Sequence, residues 1–389
     1  MRVLYHHRTA SRDGQAVHID EMIAALRSLG HEVEVVAPGA PDAGDGAMGG
    51  ESGFISGLKR ALPQWLYELM ELGYSALAYL KLMRAARRFK PDVIYERYNL
   101  FLLAGSLAAR RLKLPLLLEV NAPLFEERIK HSGGLSLVSL ARWAEGFVWR
   151  SADVVLPVTR VLADHVVARG VPDSRIVVVP NGINEAHFET APDQQAAKKA
   201  LGLEGRLVLG FTGFVRDWHG VDRVVEWMAT ADAPANAQLL VVGDGPVRAE
   251  LEARAQTLGL GDRVRFTGVV HRDRVPAHVA AFDVALQPAV TAYASPLKLM
   301  EYLVMGKAVV APDTPNIREI LEHERNALLF SDGVPGALQA ALTRACADTA
   351  LRHRLAHEAR ATIDRLGLTW RANAARAVAL GQRVAAQGR

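Results

Sequence analysis

The sequence has a single cysteine, Cys346, among 389 residues. One thiol cannot build an internal disulfide framework, and its scarcity fits a reducing, cytoplasmic compartment. No uninterrupted apolar run approaches the roughly 20 residues that span a bilayer. The N-terminus, Met1-Arg2-Val3-Leu4-Tyr5, enters a strand pattern directly, without a charged-then-apolar leader. No Asp-x-Asp pair stands at a strand end, and His6, His7 and His18 are spaced too loosely for a metal site. Aromatic residues are few and are not interleaved with basic ones in a nucleic-acid module, so no nucleic-acid partner is expected. Gly and Pro are at ordinary levels, which excludes fibrous and disordered classes.

The length exceeds what one ordinary core serves, so two domains are expected. Short Val/Ile/Leu runs recur, each followed by a helical pattern. In the first half they are 3–6, 33–38, 92–98, 114–121, 154–158 and 176–180. In the second half they are 207–211, 239–243, 264–267, 284–288, 308–312 and 327–330. Such runs, bounded by Gly or Pro, are strands buried on both faces. Alternation with helices predicts two α/β, doubly wound parallel sheets in tandem. The boundary falls at Pro180-Asn181-Gly182, giving domains 1–180 and 181–369. A last helix opening near Trp370 carries Trp370, Ala374, Ala377 and Val378 on one side and completes the first domain. The Gly/Asp/Ala-rich stretch Gly39–Gly53 reads as a surface loop.

Charge is uneven. The net is +4, but residues 51–150 hold 15 Lys and Arg against 9 Asp and Glu, a net of +6. Within Phe54–Phe89, Trp65, Leu66, Tyr67, Leu69, Met70, Tyr74, Leu77 and Leu80 stand with Lys59, Arg60, Lys81, Arg84, Arg87 and Arg88. That mixture suits an anionic membrane surface. An ordinary core-facing helix with a basic solvent side is an equal alternative.

Open α/β sheets bind ligands beyond the carboxyl ends of their strands, so motifs there carry most information. In Ala294-Ser295-Pro296-Leu297-Lys298-Leu299-Met300-Glu301, a turn opens a helix with Pro near its start. Free amides and the positive dipole end make an anion site there. Lys298 is unfavourable for the helix itself in that first turn, but apt if it faces a phosphate. Glu301, one turn on, could accept hydrogen bonds from vicinal ribose hydroxyls. A cap with a surface Lys and Glu is the plain alternative.

With these residues the chain resembles glycosyltransferase family 4, over nearly its whole length. Many members carry Glu-x7-Glu here. The second Glu is Glu301, followed by Met305-Gly306-Lys307, while Tyr293 replaces the first. This is similar to the Ser-Pro-Leu-Lys branch, in which Lys298 and the loop Ser295-Pro296-Leu297, through its free amide N–H groups, hold the donor diphosphate. Gly213-Phe-Val-Arg-Asp-Trp-His-Gly220 resembles the family's loop after the first strand of the second domain. The cationic role falls on Arg216, with His219 as helper, because an Arg grips phosphate oxygens as a fork. Val241-Val-Gly243-Asp-Gly and Phe266-Thr-Gly-Val269 resemble the turns that hold the nucleotide. In the first domain, Gly14 resembles a glycine that lets backbone approach the donor. His18, Glu119 and Asn121 stand where members touch the acceptor, although Glu119 is equally a buried partner for Arg97.

The resemblance implies a GT-B fold, two Rossmann-like domains facing across a cleft that closes about Asn181-Gly182. It implies a retaining, metal-independent glycosyltransferase without cofactor, which moves sugar from a nucleoside diphosphate to a glycan or lipid-linked acceptor. Arg216, Lys298, His219 and Asn121 would be catalytic. A nonenzymatic binding protein and a nucleotide-sugar epimerase of the same fold stay open.

Overall fold

The computed structural model describes residues 1–9, 14–38, 62–131 and 134–387. The Gly39–Gly53 loop, and Phe54 to Ala61 of the basic segment, lie outside the described residues. The chain divides into two compact units: Met1–Pro180 with Trp370–Arg389, and Asn181–Thr369. Among the described residues no helix is long and apolar enough to cross a membrane.

The first unit holds a parallel sheet of β1 (Arg2–His6), β2 (Glu32–Val36), β3 (Val93–Arg97), β4 (Leu116–Val120) and β5 (Val154–Pro157). Their order is β2-β1-β3-β4-β5. β3 and β4 are buried at every position, the charged Glu96, Arg97 and Glu119 included. The order reverses between β1 and β3, where His6 faces Glu96 in register. The helix Trp370–Gln387 belongs to this unit. It buries Trp370, Ala374, Ala377 and Val378, with Trp370 edge-on to His18 at 4.6 Å between ring centroids.

The expected sixth strand, 176–180, is corrected by the structure to a single bridge between Val155 and Ile176. Val177 and Val179 donate N–H to the carbonyls of Val155 and Pro157, at 3.0 and 2.9 Å. Pro157 has no N–H to return, so the ladder cannot close beyond that bridge.

The second unit holds β6 (Leu207–Thr212), β7 (Ala237–Val242), β8 (Val264–Phe266), β9 (Val284–Leu286), β10 (Ala308–Pro312) and β11 (Ala327–Phe330). The order is β11-β10-β9-β6-β7-β8, all parallel where paired. Side chains alternate between two cores. Leu209, Phe211, Leu239 and Val241 enter one, while Val208, Leu240 and Val242 enter the other. The chain first winds outward from β6 through β8, then resumes on β6's other side with β9. The switch point between β6 and β9 is where such sheets leave a ligand crevice.

Candidate active site

The carboxyl end of β6 carries Thr212 and Gly213. Gly213 adopts φ 116°, and Gly243, at the end of β7, adopts φ 145°. A Cβ on Gly243 would lie 2.1 Å from the Gly213 carbonyl oxygen. The two turns therefore press backbone against backbone, and the Gly213 N–H donates to Val242 O at 2.9 Å. Only glycine meets both demands at position 243. Gly243→Ala should cost at least about 2 kcal/mol of stability. It should also weaken nucleotide binding. Thermal unfolding and calorimetry check this, and an unchanged melting temperature would contradict it.

Between these turns and the helix Leu297–Val304, the cationic residues gather. The Lys298 ammonium sits 3.9 Å over the Phe211 ring centroid. Lost hydration pushes its pKa down to about 7, and nearby Glu301 only partly offsets that. The Arg216 guanidinium stacks between Phe214 and Trp218, 4.9 and 5.0 Å from their ring centroids. Neither cation forms an ion pair among the described residues, and Lys298 has only the nearby Glu301 as a counter-charge. His219 Nδ1 accepts the Arg216 N–H at 3.0 Å. Burial, then Lys298 and Arg216, push the His219 pKa down to about 3, so the ring is neutral and its proton lies on Nε2. His219 thus offers a hydrogen-bond donor and not a positive charge.

Glu301 accepts the Thr212 hydroxyl at 3.1 Å, and the Tyr302 hydroxyl accepts the Thr212 N–H at 2.9 Å. Burial raises the Glu301 pKa, opposed by the Thr212 bond and by the charges of Lys298 and Arg272. Ser295 is buried just before Pro296 and Leu297. Its hydroxyl accepts the Asn181 N–H at 3.1 Å, and the Asn181 amide donates to the Ser295 carbonyl at 2.6 Å. Asn316 donates to the carbonyls of Thr291 and Ala294, at 3.1 and 2.8 Å. Thr212, Asn181 and Asn316 were not singled out by motif. Asn181 read as a junction, and nothing local marks Asn316 as a clamp on a loop 20-odd residues upstream in sequence. Val269 lies exposed beyond β8.

In the first unit, His18, Glu119 and Asn121 come together, but inside the protein. Glu119 is 3 % exposed and accepts from four groups. Tyr95 OH and His18 Nε2 reach Oε2 at 2.7 and 2.9 Å; Arg97 Nη1 and Asn121 Nδ2 each reach Oε1 at 2.6 Å. Burial alone would raise this carboxyl. His18 and Arg97 beside it, with bonds from His18 and Tyr95, hold it well below the usual range instead. Glu119 is therefore the hub of a fixed network, with Asn121 half-buried at its rim. Gly14 opens the helix Gly14–Ser28, directly after residues outside the described set.

Residues 13–182 match the sequence model of the glycosyl transferase 4-like domain, and residues 206–348 that of glycosyl transferases group 1. A 2-deoxystreptamine glucosyltransferase from Streptomyces kanamyceticus is 31% identical over 297 residues, 70% of this chain and 74% of that protein. The chain belongs to the family 4-like glycosyltransferases. A GDP-mannose-dependent alpha-mannosyltransferase from Mycobacterium tuberculosis (strain CDC 1551 / Oshkosh) is 26% identical to this glycosyltransferase, covering 82% of it and 81% of the relative. The crystal structure of HepE from Anabaena in complex with UDP has a TM-score of 0.73 at 21% identity, covering 100% of this chain and 99% of that one. The likeness places this glycosyltransferase in the GT-B fold.

Proposed function

We propose that this glycosyltransferase binds a nucleoside-diphosphate sugar in the Asn181–Thr369 unit and transfers the sugar with retention of anomeric configuration, without a metal ion. The observation that carries it is Lys298. A half-buried ammonium with no ion pair, at a switch point and a helix N-terminus, is costly to the free protein. It is offset when a polyanion arrives. Arg216 supplies a second cation, neutral His219 a donor, and the Ser295–Lys298 backbone its amides, all aimed at a leaving diphosphate. These groups supply the charge stabilisation for which a metal would otherwise serve.

The bond from the sugar's anomeric carbon to the phosphate oxygen breaks, and a bond to the acceptor oxygen forms on the same face. The acceptor's proton passes to the departing phosphate oxygen. Retention by this route needs no protein base. In agreement, Glu119 is committed to four donors and Glu96 to His6. The acceptor is a glycan or lipid-linked glycan of cell-surface polysaccharide or glycoconjugate synthesis on the cytoplasmic side. The 2-deoxystreptamine named for one relative favours a second class, a small polyhydroxylated ring.

Proton NMR of the fresh product, made with and without EDTA, tests both fine points. An axial product from an axial donor, formed equally in EDTA, is expected. An inverted product would sink the mechanism, and activity lost in EDTA and restored by Mg²⁺ would sink the metal-independent part.

A further inference from the structure

The helix Gln64–Phe89 in the first unit buries its acids and exposes much of its apolar surface. Its acidic residues, Glu68 and Glu71, face inward and are buried. Glu68 accepts the N–H groups of Ser136 and Leu137 at 2.8 and 2.7 Å. Glu71 binds Arg8 and Arg128, at 3.1 and 2.8 Å. The outward side carries Trp65, Leu69, Met70, Leu77 and Leu80, all exposed, with Leu77 at 59 % and Leu80 at 51 %. Exposed Gly73 and Ala76 lie between them, so no charge interrupts this face. At 100° per residue these positions fall within an arc of about 140°, and they extend for about 22 Å. Beyond Leu80 the exposed side becomes cationic, with Lys81, Arg84, Arg87 and Arg88. Every acid on this helix points in, and every cation points out.

The helix Val138–Ser151 repeats the partition, and Glu68 ties its N-terminal approach to the first helix through Ser136 and Leu137. Its acid, Glu145, is buried and accepts from Tyr98 OH at 3.0 Å and Phe125 N–H at 3.2 Å. Its cations, Arg142 and Arg150, are exposed, as is Trp143, which stacks on Phe147 at 5.4 Å. An open recess of about 500 Å³ lies among Arg142, Trp143, Arg150 and Arg169.

We propose that these two helices form a docking surface for an anionic phospholipid bilayer. The Trp65–Leu80 face enters the boundary between headgroups and acyl chains, while Lys81–Arg88, Arg142 and Arg150 meet lipid phosphates. Exposed Trp, an unbroken apolar face and charge of one sign are the chemistry such an interface selects. The charge also decides against a second copy of the chain, because a two-fold contact would set like cations against each other. A nucleic acid would meet the cations but leave Leu69, Met70, Leu77 and Leu80 without a partner.

The surface stands independently of the donor-site reading, and the test keeps them apart. The full chain is floated with vesicles of phosphatidylcholine, with and without phosphatidylglycerol, across salt concentrations. Binding should be at least about tenfold stronger to the anionic vesicles and fall with salt. Leu77→Gln with Leu80→Gln, and Arg84→Glu with Arg87→Glu, should each weaken it about tenfold or more, with the nucleotide-induced thermal shift unchanged. All four positions are exposed, so folding should survive. Absence of flotation for the wild-type chain would overturn the proposal. So would binding that both double variants retain, or a concentration-dependent dimer in sedimentation velocity that Leu77→Gln with Leu80→Gln abolishes.

Discussion

Lys298→Ala should lower kcat/KM about 100-fold, or roughly 2.7 kcal/mol of transition-state stabilisation, while leaving the melting temperature the same or higher. The two halves of this result have one cause. Burial pushes the Lys298 pKa down to about 7, so folding disfavours its charged form and removal relieves that cost. On the proposed reading, a bound diphosphate is the partner that makes the charge favourable. Arg216→Ala should likewise lower turnover at least about tenfold, since its fork meets the same anion.

The proposed site predicts that the same group sets the pH dependence of donor binding. A bound diphosphate raises the Lys298 pKa above its free value, so the affinity it contributes is fully present below about pH 7 and lost as pH rises. His219, pushed down to about 3, stays neutral through that window and cannot mimic the effect. Calorimetry with a nucleotide sugar, whose diphosphate does not titrate there, should show affinity falling above about pH 7 in the wild type and flat in Lys298→Ala. A pH-independent wild type would remove Lys298 from the diphosphate.

Glu119→Ala should destabilise the first unit by about 3–5 kcal/mol, because it leaves the Arg97 guanidinium buried without its counter-charge. In a unit of this size that lowers the melting temperature on the order of 10 °C. The carboxyl's folded pKa is depressed, so its contribution is present above the unfolded value of about 4.3 and lost as pH falls. The wild type should accordingly lose stability in acid more steeply than the variant. A variant that melts with the wild type would show that Glu119 is not the hub of its network.

Much of this architecture was legible because buried parallel strands are dominated by Val, Ile and Leu, as Leu116–Val120 and Ala237–Val242 are, each with a single polar residue. The failure at Ile176–Pro180 came from the partner strand, where Pro157 withholds a donor that apolarity does not reveal. The Ser-Pro-Leu-Lys turn was legible because Pro marks a helix start and a Lys in the first turn opposes the helix dipole unless an anion is intended. What holds that turn was not. Asn181 and Asn316 act across long sequence separations, and a lone Asn reads as a turn residue. His219 was recognised by position, but its neutrality depends on burial and on the charges of Lys298 and Arg216. Helix 64–89 shows the opposite limit. Its pattern announced an amphipathic segment, yet only the structure shows that Glu68 and Glu71 face the core while Leu69, Leu77 and Leu80 stay outside.

The most direct test of the donor site is a thermal-shift and hydrolysis screen of the pure protein against UDP-, GDP- and ADP-sugars. Stabilisation by one nucleotide family, with slow sugar release, is the expected result and names the donor class. No shift with any of them would contradict a diphosphate site at Lys298 and Arg216, leaving a glycosyltransferase fold whose donor site lies elsewhere or is lost.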